Sequence, residues 1–336
     1  MTQVLVVGAG LAGCTVAREL ADNGMRVILA EASDEIGGKV ISYGCKASDK
    51  CNNCGVCLTA GLWEGVTSNS GIEVLLSTRL IDLAQDGGKY TATLKSAGKI
   101  KTIENLAKVV VSTGFEKSDL DSFNGFVELS NTDGIITGSQ LESLFQERTV
   151  SELFETAPES VAFVQCYGSR DYREHSMYCS KVCCAYATRA AKAIKHFYPE
   201  CRVVFFYMEM QMVNQGDYYQ SLLDAGIEFI KCRPVSVTGG KPATITYDDP
   251  SSGKRVSDSF GMVVLSNGIR ADSHARHISE ICGLGQDTAG FLRYVSPDKP
   301  GVLLVGCASG PKKIDETYAE SLAVAKGILR AQEVLI

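Results

Sequence analysis

A chain of 336 residues with 45% apolar side chains has material for two hydrophobic cores of ordinary size, so it reads as a globular protein. Its 33 basic and 39 acidic residues leave a net charge of -6, which gives no electrostatic footprint for nucleic acid or anionic lipid. No window reaches the roughly 18 consecutive apolar residues of a spanning helix, and the first apolar run is a strand rather than a leader peptide, so a cytoplasmic location without membrane insertion is expected.

The 13 cysteines are an odd number and most fall in two tight groups, which favours metal or redox chemistry over a secreted disulfide framework. Residues 3–7 (QVLVV) form an uninterrupted β-branched and aliphatic run, as expected of a parallel strand buried on both faces. GAGLAG follows directly. Gly8 permits the tight turn, Gly10 lets backbone approach a pyrophosphate, and Gly13 lets the helix predicted over 12–23 pack on the sheet; Leu11 and Ala12 open that helix. Its positive end meets the phosphates. Asn23-Gly24 stops the helix, a second strand follows, and Glu31 with Ala32 stands at its end, where a carboxylate accepts both ribose hydroxyls and disfavours a 2′-phosphate. EASDEIGGKV then runs into a Gly37-Gly38-Lys39 turn of the kind that flavoproteins with two dinucleotide folds place beside the flavin, which selects FAD over NAD.

Next comes CNNCGVC, with Cys51, Cys54 and Cys57 in a CxxCxxC run and Cys45 six residues upstream. Three readings fit: part of a ferredoxin-type ligand set, although no Cys-Pro occurs in the chain; a redox-active Cys51/Cys54 dithiol beside a flavin; or plain loop structure. Further on, residues 109–114 (VVVSTG) resemble the late strand of an FAD domain ending at Thr113-Gly114.

An insert then interrupts the FAD fold. Residues 161–165 predict a strand, 185–197 a helix and 202–207 another strand, a βαβ unit in which a nicotinamide nucleotide would normally bind. Its first turn is QCYGSRDYREHSMYCSKVCC, not a glycine loop. Cys166, Cys179, Cys183 and Cys184, at offsets of 13, 4 and 1, match the four thiolates of a [4Fe-4S] cluster. Zinc also takes four thiolates but prefers CxxC knuckles, and the neighbouring pair Cys183-Cys184 suits two irons better than one ion. Four buried structural cysteines are the remaining reading. His175 lies between the first two cysteines, with solvent and a cluster both open to it. His274 and His277 share a predicted helix whose solvated face explains them better than a metal does. The strand 302–305 ends at Gly306, with Cys307 where such domains carry an aspartate, and Lys312, Lys313 and Ile314 precede a last helix over 316–333 whose amides would face the flavin.

The run VAFVQCYGSRDYREHSMYCSKVCCAYATRAAKAIK, with VVFFYMEMQ and GIEFIKCRP after it, closely resembles HdrA, the flavin subunit of heterodisulfide reductase, and the resemblance extends from GAGLAG to GPKKIDET. It implies an α/β, thioredoxin-reductase-like flavoprotein with two dinucleotide-binding domains on Rossmann-type parallel sheets. FAD would lie in a discontinuous domain of residues 1–118 and 271–336, and a [4Fe-4S] cluster on Cys166, Cys179, Cys183 and Cys184 in the inserted domain 150–270. It also implies a homodimer with other heterodisulfide-reductase-like subunits as partners. Methanogenic members carry an extra N-terminal domain and ferredoxin domains, whereas this chain starts at the FAD strand and has no CxxCxxCxxxCP motif. It therefore resembles the short flavin subunit found in sulfur oxidisers.

The expected function is electron transfer between FAD and the cluster in sulfur-compound oxidation, with Arg170, Tyr178 and Lys313 tuning the potentials. A disulfide reductase driven by NAD(P)H through Cys51 and Cys54, and a relaying scaffold, are the competing functions.

Overall fold

The computed structural model describes residues 2–48, 50–117, 127–128, 131–148, 153–154, 156–172, 176–211, 216–295 and 299–333. It divides into two compact units: Met1–Ile41, Gly55–Glu116 and Ala271–Ile336 form the first, and Ser42–Cys54 with Lys117–Arg270 form the second.

The first unit is built on five parallel strands in the order Val302–Leu304, Lys108–Val111, Gln3–Val7, Arg26–Ala30, Ile72–Leu75. Both faces are covered, which is why QVLVV shows no polar alternation. Val4, Val6, Val27 and Leu29 pack on one face with the helices Leu11–Asp22 and Ile314–Glu333. Leu5, Val7, Ile28 and Ala30 pack on the other with an antiparallel meander, Thr78–Asp86, Lys89–Ser96 and Lys99–Leu106. Each fully buried aliphatic side chain contributes about 1.5–3 kcal/mol, so the sheet position of the nucleotide turn is firmly held.

The second unit repeats this plan. Its parallel sheet runs Ile135–Thr137, Met262–Asn267, Ser160–Tyr167, Arg202–Phe206, Glu228–Ile230. Val161, Phe163, Val203 and Phe205 face the helices Gly138–Glu147 and Cys183–Phe197, while Ala162, Val164, Val204 and Phe206 face a second, mixed sheet through Val237, Ile245 and Phe260. A capping box between Thr137 and Gln140 starts the helix Gly138–Glu147. The segment Ser42–Cys54, expected from the sequence within the FAD-binding part, belongs by its contacts to this second unit. Among the described residues no helix is long and apolar enough to cross a membrane.

Candidate functional site

In each unit the groups with chemistry stand at the carboxyl ends of adjacent parallel strands, where open α/β sheets form their ligand crevice. In the first unit Gly8 closes the strand Gln3–Val7 at φ +101°, and a Cβ on Gly13 would lie 1.8 Å from the Gly8 carbonyl oxygen, so this contact requires glycine at position 13. The hydroxyl of Ser112, which no local pattern marks, lies 2.9 Å from the carbonyls of Val7 and Gly8 and fixes the turn as their donor. The helix Leu11–Asp22 has Gly10 as N-cap with no side-chain cap, which leaves its first amides to an anion. Leu11 and Ala12 are buried behind it. The Gly37-Gly38 turn lies against the loop: the Gly37 amide donates to the Ala9 carbonyl at 2.8 Å, and a Cβ on Gly38 would stand 2.9 Å from the Gly10 Cα.

Glu31 is half-buried at the end of the strand Arg26–Ala30, oriented by the Ala9 amide at 2.6 Å and by the amide and hydroxyl of Ser33 at 2.8 and 2.9 Å. Ala32 beside it is exposed. Lys39 rests 5.2 Å from the centre of the Phe115 ring. Beyond the strand Lys108–Val111, the Thr113 hydroxyl is buried and has no hydrogen-bond partner among the described residues, next to half-buried Gly114. An orphaned hydroxyl beside a glycine cradle, uncapped helix amides and an oriented carboxylate together fit the polar groups of a dinucleotide such as FAD.

Gly306 takes φ +73°, and its amide is held at 2.7 Å by Glu320, a residue 14 positions onward that the sequence pattern leaves unmarked. Cys307 is buried; burial pushes its thiol pKa up, and its sulfur contacts the Lys312 carbonyl at 3.6 Å. This thiol therefore stays neutral where an aspartate would be charged. Ile314 opens the last helix two residues earlier than the sequence predicts, and Lys313 is exposed, its amide donating to Glu316 at 2.9 Å.

The second unit brings the four cysteines to the corresponding place. The strand Ser160–Tyr167 runs past its predicted end, and its register against Met262–Asn267 shifts between Val164 and Tyr167. That irregularity puts Cys166 at φ +62°, in the left-handed region that side chains avoid. The helix Cys183–Phe197 starts two residues earlier than predicted, so Cys183 and Cys184 occupy its first turn, and no side chain caps it. The Cys183 thiol hydrogen-bonds Cys166 and Cys184, which lowers the pKa of both acceptors and raises its own well above the usual range; burial raises Cys179. The Arg170 guanidinium lowers Cys166, Cys179 and Cys184 as a lesser cause. At Cys166 and Cys184 the balance favours the thiolate, the form that binds metal.

Among the described residues, three buried polar atoms at this strand end and turn have no hydrogen-bond partner: Gln165 Oε1, Ser169 Oγ and Arg170 Nη1. Two of them are donors in the loop that follows Cys166, as a sulfide-bearing group requires. Among the described residues no three cysteine sulfurs lie within 4.8 Å of one another, the spacing at which one ion can be shared, whereas a cluster spreads its ligands over separate irons.

The supporting residues lie far away in sequence. Gly268 passes Ser180 so closely that a Cβ there would sit 2.0 Å from its hydroxyl oxygen, and Tyr186, one turn after Cys183, donates to the Asn267 carbonyl at 2.9 Å. Tyr178 turns its hydroxyl to the Ile269 carbonyl at 2.9 Å, while its own carbonyl accepts from the Arg170 amide at 3.1 Å. His175 lies outside the described residues. His274 precedes the helix Ala275–Cys282 instead of sharing it with His277, and pairs with Asp272 at 3.5 Å. Cys45, Cys51 and Cys57 are exposed and Cys54 is half-buried.

The family described as FAD dependent oxidoreductase matches residues 3–306. A CoB–CoM heterodisulfide reductase iron-sulfur subunit of the HdrA type from Methanopyrus kandleri is 24% identical over 417 residues, covering 96% of this chain and 63% of that protein. The HdrA-type component of the H(2):CoB-CoM heterodisulfide,ferredoxin reductase of Methanothermobacter marburgensis is 31% identical over 235 residues, covering 65% of this chain and 36% of that protein. The chain spans less than two thirds of the length of these relatives. The solved thioredoxin reductase of Lactococcus lactis superposes with a TM-score of 0.66 over 98% of both chains at 16% identity, a likeness of fold.

Proposed function

Because this chain belongs to the FAD dependent oxidoreductase family and relatives that match nearly all of it, while being longer themselves, are HdrA subunits of heterodisulfide reductase, we propose that it is the electron-transferring flavin subunit of a heterodisulfide-reductase-like complex. FAD occupies the first unit. A [4Fe-4S] cluster is held by Cys166, Cys179, Cys183 and Cys184 in the second. The observation that carries this reading is the place of those thiols: they stand at the end of the central strand Ser160–Tyr167, before an uncapped helix, where a dinucleotide domain has its phosphate loop.

When bound, FAD supplies a couple that exchanges electrons singly or in pairs, and the cluster supplies a one-electron couple. The chain's own residues do the rest. Glu31 holds the adenosine ribose, the amides of the helix Leu11–Asp22 neutralise the pyrophosphate, and the Thr113 hydroxyl gains the partner it lacks. Ser169 and Arg170, whose Oγ and Nη1 are buried and unpartnered in the loop after Cys166, would supply donors to the thiol-bound group, and such hydrogen bonds would raise its affinity for an electron. Domain limits of 1–118 with 271–336 for FAD and 150–270 for the cluster, homodimerisation, sulfur-handling partner subunits, a cytoplasmic setting and a role in sulfur-compound oxidation all belong to this proposal.

The test is rapid mixing with NADPH and with NADH. A flavoprotein that exchanges electrons only through partners keeps its oxidised flavin spectrum with either nucleotide and loses it with dithionite. Bleaching by NADPH alone would instead mark a nicotinamide-dependent disulfide reductase.

A further inference from the structure

The thiol-rich segment after the Gly37-Gly38 turn has no part in the function above. Residues Ser42–Cys54 pack within the second unit, and two polar clamps fix them there. Lys46 is buried with its ion-pair partner Glu142, at side-chain exposures of 3% and 8%, and also donates to the Gly44 carbonyl at 3.0 Å. Gly44 passes so near the helix Gly138–Glu147 that a Cβ would stand 2.1 Å from the Phe145 carbonyl carbon. Arg189 donates from Nε to the Asn52 carbonyl and from Nη2 to the Asn53 carbonyl, each at 2.9 Å, and the Asn52 side chain donates to the Lys46 carbonyl at 2.6 Å. Burying a lysine and a glutamate is costly, so a segment that only covered surface would gain nothing from this arrangement.

Between the clamps the backbone at Cys51 takes the shape found at Cys179. The Asn53 amide donates to Cys51 Sγ at 3.4 Å with Asn53 at φ +48°, and the Lys181 amide donates to Cys179 Sγ at 3.3 Å with Lys181 at φ +60°. In both, a non-glycine residue two positions after the cysteine accepts a left-handed conformation that aims its N–H at sulfur. Gly55, at φ +82°, turns the chain immediately after Cys54. A Cys-x-x-Cys turn with an amide on its first sulfur offers two sulfur ligands to a soft metal.

We infer that Cys51 and Cys54, with Cys45 on the same clamped segment, hold a second iron–sulfur centre. The choice of iron over zinc rests on the proposed first cluster. Arg189 belongs to the helix that begins at Cys183, six residues or about 9 Å along its axis, so the clamp sets the Cys51 turn on the flank of that cluster's helix. A redox-active centre there extends the electron path, and an inert ion does not.

The test is iron, acid-labile sulfide, zinc and FAD per chain in protein prepared without oxygen, with electron paramagnetic resonance after dithionite. Wild type is expected to hold about eight irons, for two cubanes of which the second completes its three cysteine ligands with solvent, and the Cys51→Ser/Cys54→Ser variant about four, with unchanged FAD and near-ultraviolet circular dichroism. The Cys183→Ser/Cys184→Ser variant loses the other half. Iron that falls only in Cys51→Ser/Cys54→Ser supports the second centre and sinks the first. The Cys51→Ala variant, a milder change, must also lose iron. Unchanged iron in both Cys51 variants, or stoichiometric zinc released from these thiols, overturns the inference.

Discussion

Replacing Lys46 by methionine leaves the Glu142 carboxyl buried without its cation. Breaking one side of a buried pair costs about 3–5 kcal/mol when the remaining group stays charged. Burial already raises the Glu142 pKa above its ordinary 4.5 despite Lys46, and losing the ammonium raises it further. A carboxyl whose folded pKa is raised weighs nothing against the fold below its unfolded value and destabilises it as pH rises toward the folded value. Each pH unit above 4.5 adds at most about 1.4 kcal/mol. The penalty is therefore at most about 1.4 kcal/mol at pH 5.5 and reaches about 3–5 kcal/mol at pH 8. With a urea dependence of about 2–3 kcal/mol per molar, the midpoint at pH 8 falls by more than about 1 M. The Lys46→Met/Glu142→Leu double variant should return to within about 1 kcal/mol of wild type, since a well-packed apolar pair often matches a buried ionic one. Equal midpoints for Lys46→Met and wild type at pH 8, or a gap that does not widen with pH, would refute this reasoning.

Two further predictions concern the first unit. Gly13→Ala places a methyl group 1.8 Å from the Gly8 carbonyl oxygen, so the loop must shift and the purified protein should carry almost no flavin, measured as the ratio of flavin to protein absorbance. Glu31→Ala removes the acceptor for the ribose hydroxyls and frees the Ala9 amide, and hydrogen bonds to a charged group at about 1.5–3 kcal/mol predict FAD affinity weaker by about 10- to 100-fold in a fluorescence titration.

Much of the first unit was legible because local signals agree: a glycine turn, uninterrupted β-branched strands and an acid at the second strand's end each follow from short-range geometry. The thiol site was legible only as a set of cysteines. The positive φ of Cys166 follows from a register shift against the strand Met262–Asn267, about a hundred residues away, and no pattern within QCYGSR records it. Ser112, Gly268 and Glu320 act through contacts of long sequence separation and carry residue types common anywhere. The membership of Ser42–Cys54 in the second unit depends on Lys46 meeting Glu142, 96 residues onward, a pairing that periodicity does not encode. His274 leaves the predicted helix because Asp272 accepts its backbone amide at 2.8 Å and the helix begins one residue later.

The central claim is that a cluster has replaced a nucleotide loop in the second unit. Its most direct measurement is iron, sulfide and FAD on Cys166→Ser beside wild type, in protein handled without oxygen. The account predicts loss of about four irons and their sulfide with FAD retained. Unchanged iron in Cys166→Ser, or wild-type protein that binds FAD and NADPH but no iron, would contradict it.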